Sequence, residues 1–160
     1  MENGVRKGEP MKAFSHVVAA LFVLALVWLG SAFSGVGLSV YLDAASVVLV
    51  LGLTLVMLRA GWSFRAMGTQ FKNSMNDQAD RASLEEAILF FTSARRYLVQ
   101  AAGFAVFIGL IAILTNLEDR NKLGPNLAVA LLSAFYAIIL TVAICIPFET
   151  AARRRLVRKQ

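Results

Sequence analysis

Most of this chain lacks charge, and nearly all of it lacks the residues that usually do chemistry. Its 160 residues include one cysteine, Cys145, and one histidine, His16. A single thiol inside an apolar run permits no internal disulfide, and one imidazole beside it makes no metal cluster. Cys145 therefore reads as inert packing. No Gly-rich phosphate loop, Cys/His pair, HExxH or GxSxG motif occurs, so neither an enzyme constellation nor a cofactor site can be assembled. Acidic residues number 10 against 16 Lys and Arg, a net charge of +6. That excess would suit nucleic acid, but the basic residues flank apolar runs and form no basic face interleaved with stacking aromatics. Nucleic acid is not the expected partner.

What is present is apolar length. Hydrophobic residues make up 58% of the chain and charged residues 16%, with mean hydropathy +0.67. A soluble domain of this size rarely carries so many apolar residues. Runs at 13–33, 43–58, 98–116 and 124–148 contain no Lys, Arg or Glu, and their one Asp is Asp43 at the start of the second. The last has 25 residues; at about 1.5 Å each it crosses a hydrocarbon core of roughly 30 Å with some tilt. The expected fold is all-α: an integral membrane protein with four transmembrane helices. A short helical hairpin, 62–97, lies between the second and third, with a polar tail at 1–12 and a basic tail at 149–160. The Lys-bearing start followed by an apolar run and SAFSG imitates a cleaved signal peptide, but the run exceeds the usual 7–15-residue core.

Charge orients the chain. Fourteen of the 16 basic residues fall in the two tails, the hairpin and, with Arg59, the short link before it, leaving Arg120 and Lys122 for the opposite side. The positive-inside rule then places both termini and the hairpin in the cytoplasm. Within the hairpin, Phe64, Met67, Phe71 and Met75 recur at helical spacing, so the second span can extend as an amphipathic helix to about residue 75. NDQAD supplies a turn, and Ser83 followed by Glu86 is a capping-box signature. From Leu84 a helix can run through Arg95 and Arg96 into the third span. The hairpin's charges read as a solvated face, with a docking surface as the alternative. Asp43 or Ser46 can cap the second span.

Two faces of small residues stand out. In the last run Asn126, Ala130, Ser133, Ala137 and Thr141 recur at four, three, four and four, so they share one helix face. In the third run Ala102, Ala105, Gly109 and Ala112 recur at three, four and three. Small residues let helix backbones approach closely in lipid, so both faces suit packing seams; the wall of a narrow pore is the other reading of the Asn126–Thr141 face. Pro125 suits a first helical turn, where its missing N–H is harmless. His16 reads as interfacial. A proton path needs a protonatable group at depth, and none of the runs supplies one.

The stretch GLIAILTNLEDRNKLGPNLAVALLSAFYAIILTVAICIPFE, residues 109–149, resembles the last two membrane helices of the MotA branch of the MotA/TolQ/ExbB proton-channel family. YLDAASVVLVLGLT, residues 41–54, is similar to that branch's FIDxPSLLIVxGGT. The resemblance implies a homo-oligomeric ring, pentameric, in the bacterial inner membrane. It implies a single-span MotB/ExbD/TolR-like partner whose helix carries the titrating Asp through the ring. The subunit itself would line a proton or sodium path with hydroxyls and small side chains. Ser133 then takes the place of a fourth-helix Thr, Asp43 that of the second-helix Asp, Gly124 and Pro125 that of the GP pair, and Pro147 that of the late proline. Three departures accompany the match: Val106 stands where a third-helix Thr is expected, the proline before that helix is missing near Gln100, and the hairpin of about 36 residues is short. The first two bear on conduction and the third on torque. Two expectations follow: an ion-driven ring subunit, or a non-conducting membrane assembly protein of the same fold.

Overall fold

Three helical stretches are long and apolar enough to cross a membrane: Ala44–Gly61, Arg81–Thr115 and Arg120–Val157. They belong to a computed structural model that describes residues 11–33, 35 and 37–159, with no side-chain description for much of the first helix. Residues 1–10 of the polar tail, Ser34 and the side chain of His16 lie outside the described residues. In chain order the helices are α1 (Met11–Phe33), α2 (Ala44–Gly61), α3 (Phe64–Met75), α4 (Arg81–Thr115), α5 (Arg120–Leu140) and α6 (Ile146–Val157). Between α5 and α6 the backbone stays helical but widens into a π-turn over Thr141–Cys145. No strand occurs among the described residues. α1 touches the π-turn and leaves Leu21, Phe22, Trp28 and Phe33 exposed.

Local chemistry sets the helix starts. Asp43 opens α2 by accepting from the Ser46 N–H at 2.7 Å, satisfying one of the unpaired donors of the first turn. α2 does not run on to residue 75, as its amphipathic period allowed. Trp62 adopts extended backbone and sets its ring edge-on to Phe90, centroids 5.4 Å apart. Ser63 then caps α3, accepting from the Ala66 N–H at 3.2 Å. A buried aromatic contact and a new cap together outweigh continuing one helix. The Ser83–Glu86 capping box is also corrected: Asp80 holds the N-cap position and α4 begins at Arg81. The Ser83 side chain is the main influence holding the Asp80 carboxyl below its usual range. Glu86 faces α3 instead, accepting from Gln70 Nε2 at 3.0 Å.

The last span starts earlier than its proline suggested. Asp119 accepts from the Asn121 N–H at 3.1 Å and starts α5 at Arg120, so Pro125 lies inside the helix and not in its first turn. The cost is that Pro125 has no N–H to give the Asn121 carbonyl, close to a helix end.

α4 has 35 residues and is therefore about 52 Å long, more than a hydrocarbon core of roughly 30 Å can contain. It touches α2, α3, α5 and α6. Its first half packs with α3 and α6 in a small bundle. Phe71, Phe90, Phe91 and Phe148 form a ring cluster there, with centroids 5.0–6.1 Å apart. Leu84, Ala87, Ala79 and Ala152 close the end of that bundle. Arg155 pins it, donating to the carbonyls of Ser74 at 2.9 Å and Met75 at 3.1 Å and pairing with Asp77 at 2.7 Å. Lys159 Nζ also donates to the Ala79 carbonyl.

Candidate functional site

The two small-residue faces meet each other. A Cβ placed on Gly109 would lie 2.8 Å from Ala130 Cβ and 3.1 Å from the Asn126 carbonyl oxygen. Only glycine permits that approach of α4 to α5, because any side chain there forces the helices apart. Ala102, Ala105 and Gly109 are buried and Ala112 is half-buried. On the facing helix Ala130, Ser133 and Ala137 are buried, while Asn126 and Thr141 are half-buried. Asn126 Nδ2 donates across the seam to the Ala112 carbonyl at 3.2 Å. Within the chain, then, this face packs α5 against α4.

Polar groups cluster where α2 joins the seam. Ser133 is fully buried, and its hydroxyl donates to the Val129 carbonyl of its own helix at 2.8 Å. The Ser46 hydroxyl lies 3.0 Å from the same carbonyl and 2.5 Å from Asp43 Oδ2. One hydroxyl hydrogen serves only one acceptor at a time, so Ser46 chooses between the α2 cap and the α5 backbone. Tyr136 ties the same region to the loop before α2, accepting from the Asp43 N–H at 3.0 Å and donating to the Tyr41 carbonyl. Sequence reasoning overlooked Tyr136 and the Val129 carbonyl. The family-like stretch 109–149 passes through Val129, but no residue-level signal marks one backbone oxygen as a shared acceptor.

Beside the seam, α4 and the last span enclose an open apolar groove of about 400 Å³. Ala102, Val106, Ala137, Ile138 and Thr141 are among its lining residues. Of the small face, therefore, Ala137 and Thr141 reach this groove, whereas Ser133, Ala130 and Asn126 do not line it. Thr141 Oγ1 is shielded from solvent and makes no hydrogen bond. It belongs to the π-turn, where the Ile146 N–H reaches back five residues to the Thr141 carbonyl. Pro147 follows and has no N–H for the usual four-residue bond to Ala143, which favours the widened turn. Gly124 and Pro125 sit in the first half of α5, away from the groove lining. Cys145 is buried. No group of three or more His, Cys, Asp or Glu suited to a metal ion occurs among the described residues.

Chemically, the arrangement offers a membrane-embedded groove with apolar walls and one unspent hydroxyl. It can hold an apolar helix and hydrogen-bond one polar group on it. By itself it offers nothing that gains or loses a proton. No family model matches the chain. It is 52% identical over 47 residues to Motility protein A of Aquifex aeolicus (strain VF5). That stretch is 29% of this chain and 18% of the relative, so the chain matches well under two thirds of that protein's length.

Proposed function

We propose that this chain is a MotA-like ring subunit of an ion-driven complex in the bacterial inner membrane. The observation that carries the reading is the 52% identity to Motility protein A, a level that a shared apolar composition does not produce over 47 residues. Three helices long and apolar enough to cross a membrane support it; the reading adds α1 as a fourth span and puts both termini in the cytoplasm, by the bias of basic residues. In this reading the titrating Asp belongs to a single-span partner whose helix lies along the groove between α4 and the last span. Thr141 Oγ1, free of any partner in the structure, is the group suited to accept from or donate to that carboxyl as its charge changes. Ser133 is less suited, because its hydrogen is already given to Val129.

A second reading has its own observation. Every side chain lining the groove other than Thr141 is apolar, and an apolar constriction dewets and blocks ions. A non-conducting assembly protein that packs around partner helices would need nothing more.

Proton flux in liposomes separates the two. The chain alone should leak no protons. Coexpressed with a single-span partner carrying an intramembrane Asp, it should conduct. Thr141→Val should then reduce flux by about tenfold, the scale of one lost hydrogen bond in the path, while Ser133→Val changes it little. Flux unaffected by Thr141→Val would move the path elsewhere, and absence of flux with every such partner would favour the assembly reading.

A further inference from the structure

A second cavity, of about 280 Å³, lies between α2, α3, α4 and the π-turn, apart from the groove just described. Its inner wall includes Phe90, Phe91, Ala94 and Leu98, and its mouth is formed by Leu51 and Leu55 of α2, both exposed. A wholly apolar cavity of about 150 Å³ already takes a benzene molecule, so this one has room for a longer chain. It also contains one polar group that the fold leaves unused. Thr54 is only 5% exposed, lines the cavity, and its hydroxyl has no hydrogen-bond partner. Leaving such a group unpaired in an apolar site is costly, which points to an occupant that carries an acceptor.

The mouth adds a charge. Leu51, Leu55 and Arg59 follow one another at four-residue spacing and share a face of α2. Arg59 lies over the Phe64 ring, 5.7 Å from its centroid, and pairs with no carboxylate among the described residues. From Thr54 to Arg59 the helix rises by about 7.5 Å. An unpaired guanidinium at the membrane boundary, one hydroxyl donor deeper in, and an apolar chamber beyond match three parts of one molecule. These are an anionic headgroup, a glycerol-ester carbonyl and an acyl chain.

We propose that this cavity is a binding site for one anionic glycerophospholipid per subunit. Arg59 holds the phosphate, Thr54 donates to an ester carbonyl, and an acyl chain enters between Leu51 and Leu55 to lie against Leu98, Leu140 and Ile144. The site does not depend on whether the complex conducts.

The test is native mass spectrometry of the full chain released from mild detergent, with phosphatidylglycerol or phosphatidylcholine of matched chains added in turn. The wild type should retain one phosphatidylglycerol per subunit and prefer it to phosphatidylcholine by about fivefold, the scale of one Arg at a membrane surface. Arg59→Gln should remove that preference without lowering phosphatidylcholine retention. Thr54→Val should weaken both lipids several-fold. Ala94→Phe, which fills the chamber, should abolish retention; if that variant does not fold, Leu55→Trp at the mouth serves the same purpose. Equal retention of the two lipids by the wild type would overturn the proposal. So would undiminished phosphatidylglycerol on a folded chamber-filling variant.

Discussion

The two halves of α4 belong to one unbroken helix and are held in place by different physics. Toward Arg81 its buried residues include Leu84, Phe90, Phe91 and Leu98; toward Thr115 they are Ala101, Ala102, Ala105 and Gly109. The first half packs large rings, in a bundle where Arg155 of α6 fastens the end of α3. The second half presents almost no side chain and gains its contact by bringing backbones together. Outside the hydrocarbon core, removing rings from water is favourable at roughly 25 cal/mol per Å², so bulk stabilises. Inside it lipid is as apolar as leucine, bulk gains nothing by leaving it, and close fit is what remains. The changeover falls between Leu98 and Ala101.

If that division is right, substitutions should fail differently on its two sides. The largest loss is expected for Phe91→Ala, since Phe91 is 1% exposed and touches Phe71, Phe90 and Phe148. Removing the ring should cost about 3–5 kcal/mol, read as a lowered midpoint in thermal or denaturant unfolding in detergent. Next comes Gly109→Leu, which overfills the approach to Ala130 and should cost about 1–3 kcal/mol. A Cβ added to Gly103, on the same helix, would meet nothing within 4 Å, so Gly103→Ala should leave the unfolding midpoint almost unchanged. Equal costs at Gly103 and Gly109 would erase the distinction between fit and bulk. Arg155→Gln should cost about 1.5 kcal/mol, the low end for hydrogen bonds made by a charged group, and should raise amide exchange at Ser74–Met75 while sparing Gly109.

The smallest effect sits at the start of α4. The Asp80 carboxyl is held below its ordinary value, mainly by the Ser83 side chain. A depressed folded-state value means that its contribution is complete above the unfolded-state value and is lost as pH falls through the folded one. Protection from amide exchange in the first turn of α4, relative to the free peptide at the same pH, should therefore fall below about pH 3.8 and stay flat from there to neutrality. Asp80→Asn should leave the turn as weakly protected at neutral pH as the acidified wild type is. A pH-independent turn in the wild type would remove Asp80 from the account.

Apolar length and small-residue spacing were legible because both are properties of composition along a helix. Ala102, Ala105, Gly109, Ala130, Ser133 and Ala137 repeat at three and four, and all six are buried, with Gly109 set against Ala130. Which contact that would be was not legible, since one seam serves equally for a neighbour in the same chain, a second copy or a partner. The break at Trp62 was missed for a related reason: Gly61 stands beside it, but a lone glycine does not end a helix by itself, and the break depends on Phe90, distant in sequence. Pro125 misled in the opposite direction. Proline signals a first turn, but Asp119 with the Asn121 N–H had already begun the helix. Thr54 and Arg59 looked ordinary in the sequence, one inside an apolar run and one at its end. Their interest comes from what the fold withholds from them.

The π-turn at Thr141–Cys145 has a consequence in phase. Up to that point the buried positions of the last span step from Ala130 to Ser133 to Ala137, and an unaltered α-helix would carry the beat to 141, 144 and 148. One additional residue in a single turn advances everything after it by about 100°. Beyond the turn the beat instead falls on Cys145, Glu149 and Ala152. The five-residue turn thus acts as a gear between two incompatible registers: one suited to α4's glycine and alanines in lipid, the other to α3 and the aromatic bundle outside it. Deleting a single residue there would preserve every apolar run and every charge, yet rotate Arg155 off Ser74 and Met75 and decouple the membrane half from its bundle.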